Sequence, residues 1–272
     1  MVKFISEIGI NHNGSLELCK TMIRESHNAG CDFVKIQKRN PDICVPEKQK
    51  KKRKQTPWGE MSYLEYKHKI EFNEKQIKEL VDYSKYIGTQ LFASVWDIDS
   101  AILMSKYTRI AKLGSASITN IELCKKTREL FDFVIISTGM STEEEIELAV
   151  LNAKPDVIMH TNSTYPCPSE ELNLRYIQYL KRKWNDKHIG YSGHETILST
   201  TYAAITLGAT WVERHVTIDK NMWGSDQSSS INFDELKELI KNIKYVKEAI
   251  QYDPGPRILF EKENSKKESL RR

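Results

Sequence analysis

The sequence predicts an α/β fold, a single (β/α)8 TIM barrel, on three observations. Eight short β-branched runs alternate with longer stretches of helical period, the pattern of repeated βα units. No glycine-rich phosphate fingerprint follows the first run, where a doubly wound sheet would carry one. The chain has 272 residues, and parallel barrels of about 250 residues form one domain.

The strand candidates are residues 3–8, 32–37, 91–95, 109–113, 133–137, 157–160, 188–191 and 210–215. Between them, segments 15–28, 74–87, 142–152, 172–184 and 233–252 place apolar residues on one helical face and read as covering helices. The connection 38–72 is too long for a plain loop and is expected to be a lid over the barrel mouth, ordered by the aromatic stretch TPWGEMSYLEY. The string DPGP at 253–256 cannot continue a helix. It divides the chain into a catalytic barrel, 1–252, and a polar C-terminal tail or linker, 253–272. The glycines of STGM and GYSGHET read as tight turns after strands.

Hydrophobic residues at 39% and charged residues at 29% describe a globular chain, neither disordered nor fibrous. No apolar run has the length of a membrane span, and MVKFISEIGI lacks the parts of a signal peptide, so a cytoplasmic protein without membrane contact is expected. Five cysteines without paired spacing fit reduced thiols. Cys167 reads as a passive thiol, since nothing marks a base for it. The net charge of +4 is small and gathers in residues 48–54 and the tail from Lys262, which read as solvated, so no nucleic-acid partner is expected.

Barrel active sites are built at the C-terminal ends of the strands. There the sequence offers Glu7, then Lys35 with Gln37, Ser94, Lys112 with Ser115, and Ser137 with Thr138. His160 with Ser163 and Tyr165, Ser192 with His194, and Glu213 with His215 complete the set. A single lysine is usually a surface cation with a buried stem. Lys35 in DFVKIQ and Lys112 in RIAKLG instead sit among apolar strand residues, where an unpaired charge is expensive. Two such lysines with several hydroxyls make an anion site for a small phosphorylated acid. His194 and His215 end adjacent strands and form a candidate pair of ligands for one divalent metal, with Glu213 and Asp226 as orienting neighbours. His160 and His12 are weaker candidates for supporting donors.

The strings SEIGINHNGS, FVKIQK, AKLGSAS, IISTGMS, HTNSTYP, IGYSGHET, VERHVTIDK and WGSDQSSS, in this order, resemble the sialic acid synthases. The lid string resembles the branch that includes the vertebrate enzymes. The resemblance implies a reaction of phosphoenolpyruvate with an N-acyl amino sugar: N-acetylmannosamine, its 6-phosphate or a related hexosamine. It implies that His194 and His215 bind Mn2+ or Mg2+. Lys35, Ser94, Lys112, Ser115, Ser137 and Ser192 would hold phosphoenolpyruvate, with Ser94 standing where the family often has threonine. Glu7, Glu213 and Asp226 would be the acids and bases, and Ser163 and Tyr165 would line the sugar pocket. A homodimer is also implied.

Two departures accompany it. Gln227 stands where the family typically has histidine. The family usually continues into a small C-terminal antifreeze-like domain, and here the sequence ends at Arg272, about where that domain would begin. A truncated chain, a separate antifreeze-like cap protein and a reaction without a cap are the three expectations. The alternatives to sialic acid synthesis are another phosphoenolpyruvate-dependent keto-sugar-acid synthase and a catalytically silent barrel acting as a binding subunit.

Overall fold

A computed structural model describes residues 2–271. In chain order the elements begin with β1 (Lys3–Gly9), α1 (Leu16–Ala29) and β2 (Phe33–Lys38). The excursion follows as α2 (Pro41–Cys44), α3 (Glu47–Lys50), β3 (Arg53–Thr56), β4 (Gly59–Ser62) and α4 (Tyr63–Ile70). Regular alternation resumes with α5 (Glu74–Tyr86), β5 (Gln90–Val95), α6 (Ile98–Ser105), β6 (Ile110–Leu113), α7 (Ile121–Leu130) and β7 (Phe133–Ser137). It continues through α8 (Glu143–Ala153), β8 (Val157–His160), α9 (Tyr176–Lys183), β9 (His188–Gly193), α10 (Ser199–Thr206) and β10 (Trp211–Thr217). A short β11 (Ile231–Asn232), α11 (Phe233–Ala249) and α12 (Glu261–Leu270) end the chain.

The parallel order β1-β2-β5-β6-β7-β8-β9-β10 closes on itself because β10 also pairs with β1, Glu7 lying opposite His215. The sequence therefore forms the expected (β/α)8 barrel. Side chains that cap their own helix ends set the starts of several helices. Asn73, Thr142 and Asn232 each form a reciprocal capping box with the residue three positions on.

Period-two alternation sorts each strand into two rows. One row packs under the helices and includes Val34, Ile36, Ala111, Ile136 and Val212. The other points into the barrel, where Ile5, Phe92, Ile110, Ile135, Val157, Met159 and Trp211 form a separate apolar plug with Phe33 and Phe133 against it. Two residues further along the same inward row stand Glu7, Lys35, Ser94, Lys112, Ser137 and Glu213, all buried. The interior is thus apolar toward the strand N-termini and polar toward their C-termini.

The excursion is tied down. Tyr66 and Ile70 of α4 pack with Ile10, Tyr63 and Trp223, and Ser62 and Glu65 cap the helix reciprocally. Other details differ from the sequence expectation. The segment 172–184 is not one helix: Asn173 adopts a left-handed backbone, φ 44°, and α9 starts only at Tyr176. Gly190 and Gly193 lie within β9 and not in a turn. A Cβ on Gly190 would come within 2.9 Å of the Trp211 carbonyl, and one on Gly193 within 2.7 Å of the Glu195 carboxylate, so close approach explains both. Among the described residues no helix is long and apolar enough to cross a membrane.

Candidate active site

The inward polar row and the loops after it enclose a cavity of about 300 Å³ at the barrel mouth. Its walls include Glu7, Lys35, Ser94, Lys112, Ser115, Ser137, Ser163, Tyr165, Ser192, His194, Glu213 and His215. Asp226 stands at the edge, lining the adjoining cavity, with Oδ2 3.8 Å from His215 Nδ1. Most residues singled out in the sequence are therefore brought to one place, from the ends of the eight barrel strands or the loops after them, whereas Thr138, His160 and His12 are not among its lining residues.

Its floor is a charge network. Lys35 Nζ lies 2.7 Å from Glu7 Oε2 and 3.5 Å from Glu213 Oε1, and donates to Ser94 Oγ at 2.7 Å. Lys112 Nζ donates to Glu213 Oε1 at 2.6 Å, and Ser192 Oγ donates to the same oxygen at 3.2 Å. All four charged side chains are at most 4% exposed, so each charge depends on its partners for its solvation. Burial opposes ionisation of Glu213, but Lys112 and Lys35 outweigh it and hold this carboxyl well below the usual range. Burial also pulls Lys35 down, and Glu213 with Glu7 reverses that, leaving it above an ordinary lysine. At Lys112 burial wins over the pull of Glu213, and its pKa falls.

The imidazoles of His194 and His215 have centroids 5.3 Å apart. His194 Nδ1 lies 2.6 Å from the Asn162 carbonyl, which can only accept, so Nδ1 carries the proton. Nε2 is left with its lone pair and accepts from the Tyr165 hydroxyl at 2.7 Å, the two rings stacked 4.0 Å apart. Burial, helped by His215, lowers the His194 pKa to about 3, so the ring is neutral near pH 7. Nδ1 of His215 is buried without a hydrogen-bond partner. A fixed tautomer on one ring and an unpartnered nitrogen on the other suit a divalent cation. Among the described residues no group of three His, Cys, Asp or Glu side chains is arranged to hold a metal. Two imidazoles are thus the protein donors on offer.

Gly139, between β7 and α8, matters through space. A Cβ there would lie 2.3 Å from Ser163 Oγ, 2.8 Å from Ser115 Oγ and 2.9 Å from Thr161 Cγ2. The loops after β6 and β8 both meet this backbone, so the STGM glycine, in a turn as expected, is also a close-approach residue.

His160 is a structural residue: Nε2 meets the Leu172 carbonyl at 2.7 Å. His12 is buried, stacks 4.3 Å from Phe72 and accepts from the Gly14 amide. Gln227 is buried and bridges two elements, its Nε2 donating to the Asn11 carbonyl at 3.2 Å and its Oε1 accepting from Thr217. Cys167 is buried and its thiol is pushed up, first by burial. Sequence reasoning did not single out Trp96, Thr161, Arg39 or Lys67, which also line the two cavities. Trp96 and Thr161 lie just past strand ends, which was a usable signal; Arg39 and Lys67 belong to the excursion, where many lysines mask them.

Residues 22–253 match the NeuB family. The chain is 34% identical over 256 residues to the N,N'-diacetyllegionaminic acid synthase of Campylobacter jejuni, covering 90% of this chain and 76% of that one. It is 34% identical over 253 residues to the human N-acetylneuraminate-9-phosphate synthase, covering 90% and 70%. Among solved structures, the N-acetylneuraminic acid (sialic acid) synthetase of Leptospira borgpetersenii serovar Hardjo-bovis superposes with a TM-score of 0.87 at 28% identity, covering 100% of this chain and 93% of that one.

Proposed function

The chain belongs to the NeuB family, and on that premise we propose that it condenses phosphoenolpyruvate with the aldehyde of an open-chain N-acyl hexosamine, giving a nonulosonic acid and phosphate. The observation that carries the reading is the pair of buried lysines, Lys35 and Lys112, sharing Glu213 beneath the two imidazoles. Their ammonium groups, with the hydroxyls of Ser94, Ser115, Ser137 and Ser192, receive the carboxylate and phosphate of phosphoenolpyruvate.

C3 of phosphoenolpyruvate attacks the aldehyde carbon, whose oxygen takes up a proton. Water adds to C2, and the bond from C2 oxygen to phosphorus survives while the C2–O bond breaks, releasing phosphate and leaving the 2-keto group. Glu213, held ionised by two ammonium groups, anchors the lysines and is a weak base. Glu7 has one lysine partner, Lys35, and is assigned the proton of the attacking water. Ser163 and Tyr165 line the sugar side, and Asp226 stands 3.8 Å from His215 Nδ1 as a further acid or base candidate. His194 and His215 would hold Mn2+ or Mg2+, which when bound supplies Lewis-acid polarisation of the aldehyde oxygen.

The test is phosphate release from phosphoenolpyruvate with manganese, comparing N-acetylmannosamine, its 6-phosphate, a diamino analogue and no sugar. Sugar-dependent release that a chelator abolishes is expected. Absence of release with every sugar sinks the reading. A homodimer and a separate antifreeze-like cap belong to the same proposal, and light scattering with and without such a cap protein tests them.

A further inference from the structure

A second cavity of about 540 Å³ adjoins the first and shares Gln37, Trp96, Ala116 and Tyr165 with it. The excursion walls it with Val45, Gln49, Tyr63 and Lys67. Five lysine or arginine side chains are buried among the described residues: Lys35, Arg39, Lys67, Lys112 and Arg214. Four have a carboxylate within ion-pair distance: Lys35 with Glu7, Arg39 with Glu71, Lys112 with Glu213 and Arg214 with Glu195.

Lys67 is the exception. It is 7% exposed, yet among the described residues its ammonium group makes neither a hydrogen bond nor an ion pair. Its Nζ lies 5.2 and 5.1 Å from the ring centroids of Tyr63 and Tyr66. A buried ammonium without a counter-charge is costly, and Lys67 faces a cavity large enough to admit one. Arg39, whose guanidinium stacks 4.3 Å over Trp96, brings a second cation to the same space. Burial first, then Arg39, holds the Lys67 pKa down to about 8, and the attraction of Asp226 and Glu71 does not make up the difference. The ammonium form still dominates at pH 7.

Building on the reading above, we propose that Lys67 and Arg39 form a subsite for a phosphoryl ester at the far end of the acceptor, which makes the preferred acceptor a hexosamine 6-phosphate. A phosphate monoester carries close to two negative charges at pH 7 and three acceptor oxygens. Two cations and the neutral donors Gln49, Ser117 and Asn120 outnumber the one carboxylate of this lining, Asp226, and suit it better than a single hydroxyl. Tyr165 belongs to both cavities and stacks on His194. An acceptor with its aldehyde at the imidazoles therefore passes Tyr165 to reach Lys67.

The experiment has a binding arm and a turnover arm. Calorimetry without phosphoenolpyruvate compares N-acetylmannosamine with its 6-phosphate on the wild type, Lys67→Met and Lys67→Arg. The wild type is expected to bind the phosphorylated sugar at least about tenfold more tightly, Lys67→Met to lose most of that preference and Lys67→Arg to keep most of it. Equal affinity of the wild type for both sugars, or an undiminished preference in a folded Lys67→Met, overturns the subsite. If Lys67→Met does not fold, the wild-type comparison still decides. Titration of phosphoenolpyruvate alone separates the other source of phosphate: a Lys67→Met loss confined to phosphoenolpyruvate assigns the cations to that substrate and overturns the proposal. In the turnover arm, absence of phosphate release with every acceptor rejects the condensation reading, while calorimetry independently decides the subsite.

Discussion

Lys112 Nζ on β6 lies 2.6 Å from Glu213 Oε1 on β10, and in the closed eight-strand order these strands are four places apart in either direction. The ion pair therefore spans the barrel, joining opposite walls under the site.

Removing one partner leaves a buried charge without its counter-ion. Glu213→Gln is expected to destabilise the protein by about 3–5 kcal/mol, and Lys112→Met/Glu213→Leu by less than that single change. Urea unfolding of the three proteins checks this. A double variant at least as unstable as Glu213→Gln would show that the unpaired buried charge is not what costs stability.

Gly139→Ala places a methyl group within 2.3 Å of Ser163 Oγ and 2.8 Å of Ser115 Oγ. Both serines can rotate away, so the fold should survive while the hydroxyls leave their positions. The expected outcome is a KM for phosphoenolpyruvate raised about tenfold, the loss of roughly one charge-assisted hydrogen bond, with little change in melting temperature. An unchanged KM would remove Ser115 from the phosphoenolpyruvate contacts.

His12 sets the sign of a pH dependence. Burial, then Arg39, lowers its folded pKa from 6.5 to about 3. Between those values the unfolded chain binds a proton that the folded protein refuses, so this contribution to stability is complete above pH 6.5 and falls as pH drops toward 3. His12→Asn keeps an acceptor for the Gly14 amide and should flatten the stability profile in that window. Chemical denaturation across it compares the slopes; parallel slopes would contradict the assignment.

Divalent-ion binding should depend on both imidazoles. Calorimetry with manganese is expected to detect binding in the wild type that is lost in His194→Gln and in His215→Gln, with matching loss of phosphate release. Manganese affinity unaltered by either change would place the ion elsewhere.

Much of the site was legible because strand periodicity and barrel architecture act locally. Glu7, Lys35, Lys112 and Glu213 each lie two positions beyond an inward apolar residue, Ile5, Phe33, Ile110 and Trp211. That spacing assigns them to the barrel interior, and their place at strand ends assigns them to the mouth. Lys67 was not legible: in YKHK it is one of two lysines on a polar helix. Only the docking of Tyr66 and Ile70 against Ile10 and Trp223 buries it. The STGM glycine does lie in a turn, as its sequence reads, but the approach of the loops after β6 and β8 to it was not legible.

By itself the sequence determined the eight-strand barrel, the inward row and the mouth at which its charged residues gather, since these follow from alternation and chain order. Tertiary structure alone decided that Lys112 meets Glu213 across the barrel, that Gln227 bridges Thr217 and Asn11, and that Lys67 is buried without a carboxylate. Those facts depend on distances between residues far apart in the chain, and such distances exist only once the ring has closed and the excursion has folded over it.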